Sequence, residues 1–473
     1  MHHKNGMLVF LGSRIASASL NLLAVAVFTR LGGVETYGTY LLVLAWSFIL
    51  HGTMTFWIDE AFFARFRETA RIRYISSALA MKLTSLTIVA TPMAFLIWQG
   101  TLTPTFALAL FMMTAGLAIH EFAVTVPRTR MTPALSATAT MLRSILTVGL
   151  GSAALTLFAD EAVALPIAVA SAYLISAVPM FITYRRELFR GFRRETVVEL
   201  LRYGWPLMLA GGTWALAQNV DRLALGHFYG SASIGPYGAM ADFLKQGFFV
   251  FGEVVALSLV TLAKRAASEG RHGDVKRALN EAMRTIAVIT VFGSVLVLAL
   301  QDTIIAVFFG AQFHASAKEL LPLLLVASSI LVFRTYYFGQ IVYFLPSGLL
   351  QFYASALQLA VTVILVALLV PEMREHGAAI ALIAGQCTSC AVVMFWRTTS
   401  FRMPVPLLDI VWIATAGFAV WLAHLALASV IQQDLVRIVT DLVLISGSAG
   451  LVLWYYDLFA ARLVVRHVLA FAR

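Results

Sequence analysis

Charge is what this sequence has least of: Asp, Glu, Lys and Arg make up 12% of its 473 residues, while 60% are hydrophobic. A water-soluble domain keeps about a quarter of its residues charged to cover its aqueous surface, so soluble classes are excluded. Cysteine is almost as scarce. Cys387 and Cys390 form a CxxC inside an apolar run with no His or acid beside it, which reads as helix core rather than metal or redox chemistry. His2 and His3 at the terminus read the same way, and no metal or cofactor is expected. Walker A, GxSxG and HExxH patterns are missing, which removes nucleotide-driven and hydrolytic action. No re-entrant filter sequence marks a channel, and no basic run interleaved with aromatics marks a nucleic-acid surface.

Apolar length is what the sequence has instead. Windows of about 20 apolar residues cross a hydrocarbon core as helices. Fourteen such windows centre near residues 18, 48, 87, 115, 147, 173, 214, 248, 297, 331, 360, 386, 419 and 447. The expected class is all-α: a polytopic membrane protein of 14 transmembrane helices. The first run is a full span without a small-residue cleavage site, so it is expected to stay in the membrane. With both termini cytoplasmic, 24 Lys and Arg fall on inner segments and four (Arg30, Lys318, Arg374, Arg437) on outer ones. That bias sets the orientation, and the net charge of +10 is a matter of topology first.

One short pattern occurs twice. GGVETYGTY carries Gly33, Gly38 and Tyr40, and 197 residues later YGSASIGPY carries Gly230, Gly235 and Tyr237. Both copies fall on the outer side, after spans one and seven, where the glycines suit a tight inter-helix turn and the tyrosines the headgroup level. Six helices separate the copies, so the two halves enter the membrane in the same sense and a pseudo-twofold should run along the membrane normal. The expected organisation is a six-helix lobe over 1–187, an amphipathic cytoplasmic elbow over 188–202, a second six-helix lobe over 203–400, and two further helices with a basic surface tail over 401–473. In the elbow region, RRELFRGFRRETVVELLRY (185–203) carries six Arg beside Leu188, Phe189, Phe192, Val197, Leu200 and Leu201. It suits either the inner leaflet or a plain cytoplasmic linker.

TRLGGVETYGTY and VDRLALGHFYGSASIGPYGA resemble the paired signatures of polysaccharide flippases, the Wzx-type transporters of the multidrug/oligosaccharidyl-lipid/polysaccharide exporter superfamily. The resemblance implies two six-helix lobes around a central cavity. It also implies alternating-access transfer of undecaprenyl-diphosphate-linked oligosaccharide from the cytoplasmic to the outer leaflet of the bacterial inner membrane, for exopolysaccharide or lipopolysaccharide assembly. The partners implied are that lipid-linked glycan, membrane lipids, a coupling proton or sodium ion, and other polysaccharide assembly proteins. The motif marks outer turns and transfers no substrate-binding residue. Two alternatives stand beside this one: a cation-coupled multidrug exporter, and a membrane-embedded polysaccharide polymerase or ligase. Enzymes of the latter kind work on sizeable outer loops, whereas every outer loop here is short and Asp160–Glu161 is the one adjacent acidic pair there.

Six basic residues fall inside spans, Arg14, Lys82, Arg143, Arg222, Lys245 and Arg334, against four acids, Glu121, Asp221, Asp242 and Glu253. Each charge costs roughly 2.5–3.5 kcal/mol at a helix centre. A surplus of two cations therefore points to a wet path for an anion, and a diphosphate matches guanidinium forks. Lys82 and Arg222 lie near span ends and read as structural. Arg143 and Arg334 are too deep to snorkel and are the leading substrate contacts. Arg14 with Asn21, Lys245 and Gln358 are further candidates, Gln358 belonging to a stripe with Gln351, Ser355 and Thr362. Asp242, Lys245, Gln246, Phe249 and Glu253 share one helix face. There Asp242 and Lys245 could pair, and Glu253 or Asp242, with Glu121 in span four, could carry the coupling ion.

Overall fold

The computed structural model describes residues 2–345, 349–396, 401–431 and 433–458, with side chains from 12 onward except that of Arg14. Arg397 and the basic tail with Arg462, Arg466 and Arg473 lie outside the described residues. Among the described residues every regular element is helical, as a chain that must satisfy its backbone polar groups within a bilayer requires.

Eleven helical stretches are long and apolar enough to cross a membrane, and Ile15–Leu31 is a shorter apolar one. The fourteen crossings expected from sequence require two further readings. The 47-residue helix Leu349–Phe395 must count twice, since Arg374 breaks it with φ 50° and ψ −125°. The helix pair interrupted at Gln218–Asn219 must count as one.

Two compact units divide the chain. The first covers Met1–Phe243, Phe308–Ala317 and Ser355–Leu382. It contains α1 (His2–Leu31), α2 (Gly33–Met54), α3 (Phe56–Arg65), α4 (Arg71–Trp98), α5 (Pro104–Thr129), α6 (Pro133–Leu157), α7 (Ala164–Ser176), α8 (Val178–Thr183), α9 (Arg185–Leu188), α10 (Arg194–Ala217), α11 (Val220–Tyr229) and the start of α12 (Ser231–Val255). Pro104 and Pro133 open their helices at the position where a missing N–H costs nothing. Small residues set the packing: a Cβ on Gly151 of α6 would stand 2.3 Å from the Phe28 ring of α1, and one on Gly204 of α10 would stand 2.3 Å from the Trp57 ring of α3.

The repeated motif is not a turn. Only Gly33 and Gly230 sit at breaks, both in the left-handed region at φ 68° and 79°. Gly38 and Tyr40 lie within α2, and Gly235 and Tyr237 within α12. The tyrosines face protein rather than solvent: Tyr237 is fully buried and Tyr40 half-buried.

In the elbow, Leu188 and Leu200 are buried in the core with Trp57, Phe62, Tyr74 and Phe122, whereas Phe189 and Phe192 are exposed. Polar contacts pin the segment to the rest of the first unit. Glu187 takes Arg71 at 3.3 Å and Arg130 at 3.1 Å, and Tyr74 donates to Glu199 at 2.9 Å. Because Arg71 is about half exposed, screening keeps such pairs weak, about 0.2–1 kcal/mol each. Glu187→Ala should therefore lower the melting temperature by a few degrees at low salt and less at high salt. Equal losses in both would mean that packing, not charge, holds the elbow.

The second unit covers Leu244–Val307, Lys318–Ala354 and Ile383–Arg473. It contains the rest of α12, a π-helical turn at Ala256–Val260, α13 (Thr261–Ser268), α14 (His272–Ala299), most of α15 (Gln301–Phe308) and of α16 (His314–Tyr336), both ends of α17 (Leu349–Phe395), α18 (Leu407–Val430) and α19 (Asp434–Tyr455). The last two helices dock on α14 around Val288, Phe292, Ile413 and Ile445. Gly417 permits the approach, since a Cβ there would stand 2.2 Å from Val291. Arg284 anchors the inner end on Asp409 at 2.7 Å.

Candidate functional site

Arg143 lies half-buried on α6, where Ser17 of α1 and Tyr173 of α7 converge on it. Its Nη1 donates to Tyr173 Oη at 3.1 Å, and its Nη2 to Ser17 Oγ at 3.3 Å and Ser144 Oγ at 3.2 Å. The guanidinium also stands 5.1 Å from the centre of the Tyr173 ring. Among the described residues these acceptors are all neutral hydroxyls, so the positive charge is solvated without being cancelled. Tyr173 is backed edge-on by His120 at 5.3 Å, and His120 Nδ1 shares a 2.7 Å hydrogen bond with Ser176 Oγ. The fork is thus held on a polar chain crossing α1, α6, α7 and α5. Asn21 follows Ser17 by one turn of α1 and is half-buried. The Arg14 side chain lies outside the described residues.

Three of the other basic residues have partners that the sequence left unnamed. Lys82 is fully buried and grips Asp59 Oδ2 at 2.6 Å, Ala118 O at 3.0 Å and Thr55 O at 3.4 Å. Asp59 was not among the acids assigned to spans. Yet α3 carries it on beyond the kink at Thr55, and it is 2% exposed. Counting Asp59, and half-buried Glu60 beside it, removes the surplus of two cations; pairing, not the sum, distinguishes these charges. Arg222 makes a two-pronged contact with Asp242, Nη1 to Oδ2 at 3.2 Å and Nη2 to Oδ1. Asp242 thus turns toward α11. Its neighbour Asp221 accepts from Tyr237 Oη at 2.6 Å. Arg334 on α16 is 3% exposed and donates through Nε to Ser389 Oγ. With the Gln351 amide turned to face the fork, its oxygen accepts from Nη1 and Nη2 at 2.9 Å each.

Arg143 and the Arg222–Asp242 pair both belong to the first unit. Half-buried Tyr40 lies within electrostatic reach of Arg143, Tyr173, Arg222 and Asp242, and its ring packs against those of Phe28 at 6.3 Å and Tyr37 at 5.7 Å. Gln358 of α17 is fully buried, and among the described residues neither of its amide atoms has a partner. A buried amide left in that condition is costly unless something polar meets it. Glu121 on α5 is half-buried. In the second unit, half-buried Lys245 stands 5.4 Å from the Phe249 ring, and half-buried Glu253 follows two turns on. Among the described residues no group of three or more His, Cys, Asp or Glu could hold a metal. Sequence reading missed Asp59, Tyr173 and Tyr40. Asp59 had a legible signal, the apolar run FWIDEAFF continuing on both sides of it, whereas Tyr173 looked like any span aromatic.

Residues 86–318 match the family model for "Polysaccharide biosynthesis protein". Among curated proteins no sequence matches this chain. Among solved structures the chain is similar to the lipid II flippase MurJ in an inward closed conformation, with a TM-score of 0.74 at 13% identity over 96% of this chain and 100% of that one. It is also similar to a multidrug resistance MATE family transporter of the MOP superfamily in an inward-facing conformation, with a TM-score of 0.58 at 14% identity over 87% of this chain and 98% of that one. A MOP superfamily transporter from Pyrococcus furiosus gives 0.54 at 12% identity, over 88% and 96%. Helical throughout the regular elements of its described residues, the chain is therefore a multi-pass membrane protein with a MurJ/MATE-like fold.

Proposed function

We propose that this chain, with a polysaccharide-biosynthesis family match and the fold seen in a lipid II flippase, flips an undecaprenyl-diphosphate-linked oligosaccharide from the inner to the outer leaflet of the bacterial inner membrane. Both termini face the cytoplasm, and the two lobes over 1–187 and 203–400 give alternating access, the elbow over 188–202 and the last two helices being additional to them. The observation that carries the reading is Arg143, a half-buried guanidinium held in place by Tyr173, Ser17 and Ser144. A fork steadied by hydroxyls keeps its charge available to an incoming phosphate, because hydroxyl acceptors fix its direction without neutralising it. An exporter of cationic drugs would instead offer carboxylates at this place.

Arg334, positioned by Ser389 and Gln351, is the second phosphate contact, with Lys245, Arg14, Asn21 and Gln358 lining the way for the head group. Since Arg222 holds Asp242, Glu121 and Glu253 are the better carriers of a coupling proton or sodium ion.

Vesicles reconstituted with the protein and a fluorescent undecaprenyl-diphosphate oligosaccharide test this. Protein-dependent transfer between leaflets is expected, faster than in protein-free vesicles and competed by unlabelled substrate. Transfer no faster than in empty vesicles, together with export of a cationic dye, would replace this function with drug export.

A further inference from the structure

The segment from Arg185 to Arg194 sorts its side chains by charge. Its sequence, RRELFRGFRR, holds five arginines, two phenylalanines and a single acid. That acid, Glu187, points inward to Arg71 and Arg130, and Glu199 of α10 takes Tyr74 at 2.9 Å and Arg65 at 3.6 Å. Glu195 lines a separate notch with Arg65 and Arg202. Arg185, Arg186, Arg190, Arg193 and Arg194 are all exposed, and among the described residues none of the five meets a carboxylate. Phe189 and Phe192 stand beside them, 72% and 57% exposed.

The main chain of this stretch explains the sorting. Gly191 stands at φ 107°, and a Cβ there would come 2.8 Å from the Ile72 side chain of α4. The hydroxyl of Ser77, fully buried on α4, accepts from Arg193 N–H at 3.2 Å and donates to Arg193 O at 3.5 Å. With its backbone seated on α4 and Leu188 in the core, the stretch turns its remaining side chains outward. The face continues along α10. At 3.6 residues per turn, Arg194, Val198, Leu201, Trp205 and Leu209 fall within about 80° of one another, and all five are exposed. On a helix of a multi-pass membrane protein such an apolar stripe faces hydrocarbon. Here it ends one turn short of Arg194, which sets the residues just before Arg194 at the level of the lipid head groups.

Water matches this face poorly, since two exposed phenyl rings gain nothing there, and the rings are continuous with a stripe that lipid already covers. A phosphate carried on acyl chains satisfies both parts of it. Guanidinium forks take the phosphate oxygens, and the rings reach the upper acyl carbons. The charge bias of the loops puts the segment on the inner side. Taking that orientation from the topology proposed above, we propose that Arg185–Arg194 is a binding site for anionic phospholipid of the inner leaflet. Zwitterionic lipid is bound less well there, because its ammonium brings a second positive charge to a face that has no acid to meet it. Lipid in front and the Glu187 pairs behind then hold the same stretch from opposite sides, against the inner ends of α4 and α5.

The test uses full-length protein carrying Cys387→Ser and Cys390→Ser, with a bimane dye on Phe192→Cys in place of the ring. It is placed in nanodiscs of phosphatidylcholine that contain a minor share of either phosphatidylglycerol or phosphatidylcholine spin-labelled high on one acyl chain. Quenching per labelled lipid should be at least about fivefold stronger for phosphatidylglycerol, since one arginine near an anionic surface already contributes about that factor. The preference should shrink at high salt. Arg190→Gln, Arg193→Gln and Arg194→Gln together should bring it close to one. Because these side chains are exposed, the melting temperature of that variant should not move. Equal quenching by the two lipids in the unsubstituted loop overturns the site. So does quenching by neither, and a shift of the dye on adding polyglutamate would then give the face to an acidic protein. Both faces of a disc are open and no glycan is present, so the outcome depends neither on orientation nor on transport. Failure here leaves the proposed function standing, and lipid selection by a protein that moves no glycan sinks that function alone.

Discussion

Arg143→Ala should slow translocation of a diphosphate-linked oligosaccharide by about 10- to 100-fold, because a hydrogen bond to a charged group contributes roughly 1.5–3 kcal/mol and each 1.4 kcal/mol is tenfold. Arg143→Lys should recover only part of the loss, since an ammonium keeps the charge but cannot present a planar fork to two phosphate oxygens while Tyr173, Ser17 and Ser144 hold its other edges. Tyr173→Phe removes one of those supports and should fall between wild type and Arg143→Lys. Arg334→Ala should slow transfer as well, and the double variant should lose more than either single one if both groups touch the same anion. Initial rates in reconstituted vesicles decide the matter. Undiminished transfer in the double Arg143→Ala, Arg334→Ala protein would dismiss both guanidinium groups as phosphate contacts while leaving the fold untouched.

The second large effect falls on stability. Lys82→Met leaves Asp59 without its partner in a site where it is 2% exposed, and also removes one of the donors to Thr55 O and to Ala118 O. Breaking one side of a buried pair costs about 3–5 kcal/mol, whereas replacing both sides with apolar or neutral groups is often close to neutral. Lys82→Met alone should therefore depress the melting temperature in detergent sharply, Asp59→Asn alone should do so too, and Lys82→Met with Asp59→Asn together should regain most of the loss. Additive losses in the double variant would show that each residue is held by separate contacts rather than by the other.

These two cases mark where the sequence was readable. Membrane class, helical content and the duplication were legible because they rest on composition, apolar length and a fixed spacing of 197 residues, all local or periodic signals. Pairing was not legible. Lys82 finds Asp59 and Arg222 finds Asp242 across 23 and 20 residues, on different helices, and no helical periodicity links them. A rule based on the nearest turn favoured Asp242 with Lys245 instead. The motif misled in a more instructive way. Its glycines suggested a tight inter-helix turn with positive φ, which holds for Gly33 and Gly230, yet Gly38 and Gly235 serve another end, letting rigid helices touch. Glycine signals both loose chain and tight contact, and only the third dimension separates the two uses.

The fully buried amine of Lys82 also constrains how the protein is made. Asp59 leaves the ribosome 23 residues ahead of its partner, so the α2–α3 segment reaches the insertion machinery carrying an acid that nothing yet neutralises. Stable release into lipid then waits for α4, and the two segments should partition together as a hairpin rather than one after the other. Ribosome-stalled chains ending between the two residues would remain beside the translocon, and those long enough to expose Lys82 would leave it.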